Sequence, residues 1–483
     1  MTTMINWLEK RADLSPHTDA VKLPDGTTYS FSQLYHHAKS MASQLKQESI
    51  KSGDHVAVIS PNHYRFLVTI HALNLIGAVS FLMNIRLSSA EIAFQLQDGD
   101  VSAVILDQRY ENLVEGDLNI IDIHSGNLDQ PLKQKSHSID LDDLSHVIYT
   151  SGTTGQPKGV ELTYGNHWWN ANGSALNLGL YAHDRWLLSL PMFHVGGLSI
   201  VYRSVIYGIP LHLHESFDVE AIHNDIMNQG VTIMSVVSVM LDQLLERLGD
   251  DYYPEQFRCM LLGGGPAPKP LLTRAKDKRV PVYQTYGMTE TASQFCTLDD
   301  QNAFDKLGSA GKPLFPNQLD IVQDDESLPA QQVGEIVVHG PSVTKGYYKR
   351  PDETAAKLHN GWLKTGDLGY FDEDGFLYVV DRRKDLIISG GENVYPAEIE
   401  SVLKGYPHIA DAGVVGQKSE RWGEVPVAFI VEREPIDEQE LTTYCQNHLA
   451  NYKVPKAWYK TDELPRNAAK KLLRHQLQAR LEE

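Results

Sequence analysis

Short continuous apolar runs alternate with longer stretches of helical period through most of this chain. Val56-Ala-Val-Ile59 has the length of a buried strand, and the apolar segment after it runs at helical length to Ile76-Gly77. The most membrane-like stretch, Val68 to Ile85, is interrupted by His71, Asn74, Gly77 and Asn84. It reads as a buried helix followed by a strand. Val101-Ser-Ala-Val-Ile-Leu106, Trp186-Leu-Leu-Ser-Leu190 and Val231 to Val237 repeat the strand pattern, with helices predicted from Asn166 to Leu178 and from Val239 to Leu248. This alternation predicts a layered α/β fold with a largely parallel sheet. Asp25-Gly26 marks a hairpin, and Ser30 with Gln33 forms a capping box that opens a helix through Leu45. From Asp107 to Asp143 the chain is polar and irregular, and no chemistry is assigned to it.

The pattern changes in the last third. Gly308 to Pro313, Gly334 to Tyr348 and the hairpin turn Asp374-Gly375 predict a β-rich subdomain in which glycine turns bound alternating strands. A Gly390-Gly391 turn follows, and Pro396 stands at the first position of a new helix. Strands around Ala412 to Val415 and Val425 to Val431, and a helix from Glu438 to Ala450, complete a small terminal unit.

Composition narrows the function. At 483 residues the chain exceeds what one core organises, so at least two domains are expected. A net charge of −19 argues against a nucleic-acid or anionic-membrane partner, because both need a basic footprint. Cys259, Cys296 and Cys445 are scattered without a CxxC pair, which points to reduced thiols and a cytoplasmic protein. The N-terminus carries charges too early for a signal peptide. Whether the chain forms a homo-oligomer stays open.

Four stretches carry chemistry. Tyr149-Thr150-Ser151-Gly152-Thr153-Thr154-Gly-Gln-Pro-Lys158-Gly159 follows an apolar strand end and packs hydroxyls, glycines and a lysine as a phosphate-binding loop would. It is not a Walker loop, since Lys158 lies between Pro157 and Gly159 and no hydroxyl follows it. Gly263-Gly264-Gly265 ends a strand where a flat ring can lie against backbone. In Gln284-Thr-Tyr286-Gly287-Met-Thr289-Glu290-Thr291, Tyr286 offers a stacking face, Thr289 a hydroxyl for a phosphoryl group, and Glu290 a hard oxygen for Mg2+. Pro191-Met-Phe-His194 to Ser199 puts His194 at a pocket rim or in the packed core. Arg203 sits in the apolar run Leu198 to Gly208 with no acid three or four positions away. Its partner is either a tertiary carboxylate or the carboxylate of a ligand.

From the loop at Thr150 to Arg474, with its motifs in order along the chain, the sequence resembles the acyl-adenylate-forming enzymes, which include acyl-CoA ligases, luciferases and peptide-synthetase adenylation domains. Within that family the chain is most similar to the 2-succinylbenzoate–CoA ligases of menaquinone biosynthesis, through Ser174 to Gly179, Gly263 to Pro268, Ser389 to Glu400 and Arg203. The resemblance implies a large N-terminal domain over residues 1–383 and a mobile α+β lid over 384–483, hinged at Lys384. It implies ATP, Mg2+ and coenzyme A, with Asp367 and Arg382 on the ribose, the Gly390-Gly391 turn on the pantetheine tunnel, and Lys471 as the adenylation lysine. Relatives commonly have Gly-Lys where this chain has Lys470-Lys471. A small aromatic dicarboxylate is the implied substrate, facing His194, Ser199 and Arg203. A ligase for another aryl or medium-chain acid, or an enzyme that loads a carrier protein, are the alternatives.

Overall fold

The apolar runs pair into two parallel sheets because their side chains are covered on both faces and only neighbouring strands can satisfy their backbone. The computed structural model describes residues 3–116, 118–130, 137–150, 157–264, 267, 269–298, 302, 305–381, 386–465 and 472–481. In the first sheet His55–Ile59 lies between Val79–Met83 and Ala103–Leu106, all parallel, with Ile59 opposite both Met83 and Leu106. Leu144–Thr150 joins parallel to Val79–Met83, and Lys158–Thr163 closes that edge antiparallel.

Among the described residues the second sheet has nine strands. Its parallel centre runs Val282–Met288, Cys259–Leu262, Ile233–Val236, Trp186–Leu188, Leu211–Leu213 and Asp19–Lys22. Leu262 is in register with Val236 on one side and Gln284 on the other, so these strands end at one level.

Local signals explain the helices. Phe31–Gln47 starts at a Ser30 and Gln33 capping box. Tyr64–Ile76 is buried almost all round and stops at Gly77, whose φ of +83° suits a left-handed cap. Helix Val195–Tyr207 starts three residues before the apolar run, taking in Gly196 and Gly197. A Cβ on Gly197 would lie 2.2 Å from the Pro191 carbonyl oxygen, so the tight approach of helix to strand end requires glycine there.

The β-rich expectation becomes an antiparallel sheet around Gly334–His339 and Trp362–Phe371. The terminal unit has its own core of Ile399, Leu403, Val414, Ile430 and Leu441 beneath the long hairpin Ile409–Ser419 and Gly423–Glu432. Its Ala450 and Tyr452 also pack into the cluster of Leu87, Ile92 and Phe81 beside the first sheet. Among the described residues no helix is long and apolar enough to cross a membrane.

Candidate active site

In open parallel sheets, ligands bind beyond the carboxyl ends of the strands. Here a cavity of about 880 Å³ opens at that level, lined by Val236-Val237, Gly263-Gly264 and Thr285 from the second sheet, and by Asn62, Asn84 and Arg86 from the first. Gly390, Gly391, Glu392, Trp422, Tyr452 and Lys453 of the terminal unit form the facing wall. Glycines make the narrow places possible. A Cβ on Gly287 would lie 1.9 Å from the Ser293 carbonyl oxygen, and one on Gly390, at φ +59°, 2.8 Å from the Trp422 ring.

One end of the cavity gathers hydroxyls and charge. Thr150 and Lys158 face each other as a ladder pair of one hairpin, and both line the cavity with Thr289 and Glu290. Lys158 pairs with Glu353 and lies 5.8 Å from the Tyr347 ring centre. The Tyr347 hydroxyl donates to Glu290 Oε1 at 2.9 Å, and the Glu290 carbonyl accepts the Thr344 N–H at 2.7 Å. The carboxylate is therefore held in place with its second oxygen, Oε2, beyond that bond. Ser151, Gly152, Thr153, Thr154, Gly265, Arg382, Lys384 and Lys471 lie outside the described residues.

Asp367 lines the cavity, and one of its oxygens accepts from the Tyr286 hydroxyl at 2.8 Å. This differs from the sequence expectation for Tyr286. The ring is buried in the core with Phe295 and Ile336, so it serves as the support of Asp367 and does not form part of the cavity lining. Gln284 is also buried behind the lining, with no hydrogen-bond partner for its Nε2 among the described residues.

Apolar side chains, among them Leu82, Leu190, Phe193 and Leu261, also line the cavity, and Arg203 reaches it from helix Val195–Tyr207. Arg203 is 1% exposed. Its Nη2 donates to Asn170 Oδ1 at 2.8 Å, its guanidinium lies 5.2 Å from the Trp186 ring centre, and its Nε has no hydrogen-bond partner among the described residues. Burial pulls its pKa down, and the groups that raise it are Tyr207 and Cys259, with no carboxylate among them. Of the two partners the sequence left open, the tertiary ion pair is thus not the one found among the described residues. Ser199 departs from expectation as well. Its hydroxyl donates to the Gly196 carbonyl at 3.0 Å and lies 3.3 Å from Ser293 Oγ, so it is tied to two lining residues and does not itself line the cavity.

His194 does sit at the rim, as the residue before helix Val195–Tyr207, and its Nε2 lies 3.1 Å from Glu392 Oε2. Arg86 donates to the other Glu392 oxygen at 2.9 Å. Burial pushes the Glu392 pKa up, but His194, Arg86 and Lys453 together outweigh it and the net shift is downward. Glu392, Arg86, Lys453 and Glu353 were missed by the sequence reading. Glu392 had a usable signal, since it directly follows the Gly390-Gly391 turn, whereas the others stand in ordinary polar surroundings.

Asp107 and His124 of the polar segment join His63 in a cluster the sequence did not suggest. His63, Asp107 and His124 offer ligand atoms within 4.8 Å of one another, the one such group among the described residues. Its hydrogen bonds speak against a metal. His63 Nδ1 accepts the Phe66 N–H, so the ring proton is on Nε2, which faces Ser60 Oγ at 2.8 Å and Asp107 at 3.6 Å. Arg109 grips both Asp107 oxygens, at 3.0 and 2.9 Å. The group is a hydrogen-bonded clasp at the end of strand Ala103–Leu106.

Comparison with known proteins agrees with this geometry. Residues 8–348 match the model of the AMP-binding enzyme family, and residues 398–471 that of the AMP-binding enzyme C-terminal domain. A 2-succinylbenzoate–CoA ligase from Geobacillus kaustophilus is 52% identical over 99% of this chain and 98% of its own length. A double mutant of the o-succinylbenzoate CoA synthetase from Bacillus subtilis, bound to its product analogue OSB-NCoA, is 45% identical with a TM-score of 0.94, covering 99% of each chain. The same Bacillus enzyme with ATP and magnesium ion, at the same 45% identity, covers 99% of this chain and 100% of its own, with a TM-score of 0.76. With both family models matched in order along one polypeptide, this chain belongs to the AMP-binding enzymes.

Proposed function

We propose that this chain is the ATP-dependent ligase that joins 2-succinylbenzoate to coenzyme A, releasing AMP and pyrophosphate, in menaquinone biosynthesis. A carboxylate is a poor acyl donor because its leaving group is oxide. Attack of one carboxylate oxygen on the α-phosphorus of ATP expels pyrophosphate and gives an acyl-adenylate. The coenzyme A thiol then attacks the acyl carbon, loses its proton and expels AMP.

Both steps bring anions together, so the site must neutralise charge before the reaction starts. Lys158 and the hydroxyls of Thr150, Ser151, Thr153 and Thr154 are assigned to the phosphates, Lys471 to the α-phosphoryl during adenylation, and Asp367 with Arg382 to the ribose. Glu290 and Thr289 present hard oxygens at the same end of the cavity, a donor set that suits Mg2+. When bound, the ion supplies charge neutralisation to the phosphate oxygens. The lid, residues 384–483 turning at Lys384, removes Lys471 after the first step and presents the Gly390-Gly391 turn for the second. This chemistry and its soluble substrates fit a cytoplasmic enzyme.

The observation that carries the choice of acid is Arg203, a buried cation on the cavity wall with no carboxylate partner among the described residues. A monocarboxylic acid has no use for it once its carboxylate is at the phosphate end. A dicarboxylate answers it with the group that does not react. The names of the relatives support the same substrate. A panel of acids, scored by pyrophosphate release with coenzyme A present, tests the proposal. Preference for 2-succinylbenzoate over benzoate and medium-chain acids is expected; equal turnover of monocarboxylates would reject it.

A further inference from the structure

Among the described residues Lys453 is the one buried lysine, 3% exposed at its side chain. Its ammonium donates to Glu398 Oε1 of its own unit at 2.7 Å and to Glu91 Oε1 of the large body at 2.6 Å. Glu91 cannot swing freely to follow it. The other Glu91 oxygen accepts both the Ser88 N–H and the Ser88 hydroxyl at 2.8 Å, as the capping box of helix Ser89–Asp98. The lid therefore carries a ready-made Lys453–Glu398 pair, and the body presents a second carboxylate at a fixed point.

Two carboxylates share one ammonium here, and Glu398 Oε2 has no hydrogen-bond partner among the described residues. Burying Glu91 beside Glu398 is tolerable only while Lys453 stands between them, so removing one charge of the set leaves the docked contact unbalanced. Ala450 and Tyr452, just before Lys453, seal it from water by packing on Leu87 and Ile92. The docking is also the one associated with the coenzyme A half of the chemistry. The double mutant of the Bacillus enzyme with its product analogue scores 0.94 and the Bacillus enzyme with ATP and magnesium 0.76, both at 45% identity, so the parts are arranged differently in the two structures and this chain follows the first.

We infer that the Lys453–Glu91 pair is a latch that selects the thioester-forming arrangement, with Lys453 a positioning residue for the second half-reaction. The inference rests on the two-step ligase reading above. The test separates the half-reactions in Glu91→Gln, which preserves the capping box, and in the charge swap Glu91→Lys with Lys453→Glu. Acid-dependent exchange of pyrophosphate into ATP should stay within about twofold of wild type in Glu91→Gln, while single-turnover thioester formation from enzyme-bound adenylate at saturating coenzyme A falls about tenfold or more. The swap should recover part of that loss. Thioester formation within about twofold of wild type, an equal fall in both half-reactions (which misfolding would also give), or a swap no better than Glu91→Gln each overturn the latch. Absence of exchange in the wild type with every acid would instead overturn the ligase reading.

Discussion

Arg203 donates to the side-chain oxygen of Asn170 at 2.8 Å, a neutral partner for a fully buried cation. An amide fixes the guanidinium in direction without cancelling its charge. Arg203→Ala should therefore raise the KM for 2-succinylbenzoate by roughly 10- to 100-fold, the loss of about 1.5–3 kcal/mol of charge-assisted hydrogen bonding, and leave the KM for ATP nearly unchanged. Steady-state kinetics with each substrate varied in turn reads the difference. An unchanged acid KM would remove Arg203 from the acid site.

Lys471 is assigned to the first half-reaction alone. Lys471→Ala should lower adenylation by about 100-fold or more, while thioester formation from supplied acyl-adenylate stays near wild type. Because Lys470 stands beside it in place of the usual glycine, Lys470→Ala is the control, expected to leave adenylation within about twofold. Single-turnover assays of each half-reaction decide which lysine acts.

Gly287 has no room for a side chain, since its Cβ would lie 1.9 Å from a backbone oxygen that cannot rotate away. Gly287→Ala forces Ser293 outward and with it the strand beside Thr289 and Glu290. A cost of about 1–3 kcal/mol in stability is expected, seen as a lowered Tm, together with weaker ATP binding. By contrast Gly375 has nothing within 4 Å of its Cβ position, so a substitution there meets only the strain of its positive φ of +78°.

Buried histidines set an acid limit. Burial holds His71 neutral down to about pH 4 and His167 to about pH 3, and lowers His146 in the same direction. In the unfolded chain each takes up its proton near pH 6.5. The unfolded state binds more protons between those values, so stability is whole above about pH 6.5 and declines as pH falls toward 4. His71 alone accounts for about 3 kcal/mol at the low end. His71→Leu should flatten the fall of Tm over that window, and an unaltered slope would show that His71 is not the group titrating.

The elements most legible in the sequence are those whose causes are local. The Ser30 and Gln33 capping box, the Gly77 cap and the apolar strands His55–Ile59 and Ala103–Leu106 stand close to where their patterns place them. Ends drift where packing intervenes: the strand expected to reach Leu190 stops at Leu188, because Ser189 to Pro191 turn into the cavity wall. Site chemistry was legible when it came as a short run of unusual residues, as at Gln284 to Thr291, or as a misfit, as with Arg203. Which face of such a run points inward was not, and so Tyr286 proved to be the prop of Asp367 and Ser199 a partner of its own helix.

The order of motifs, an acidic surface and one buried arginine follow from composition and spacing alone, since each depends on residues adjacent in the chain. The contacts that join the terminal unit to the body do not. Glu392 meets His194 across 198 positions and Lys453 meets Glu91 across 362, and neither segment marks the other by any periodicity or cap. Such pairings are decided only when two folded surfaces meet, because a charge takes the partner that can be desolvated with it, whatever its place in the sequence.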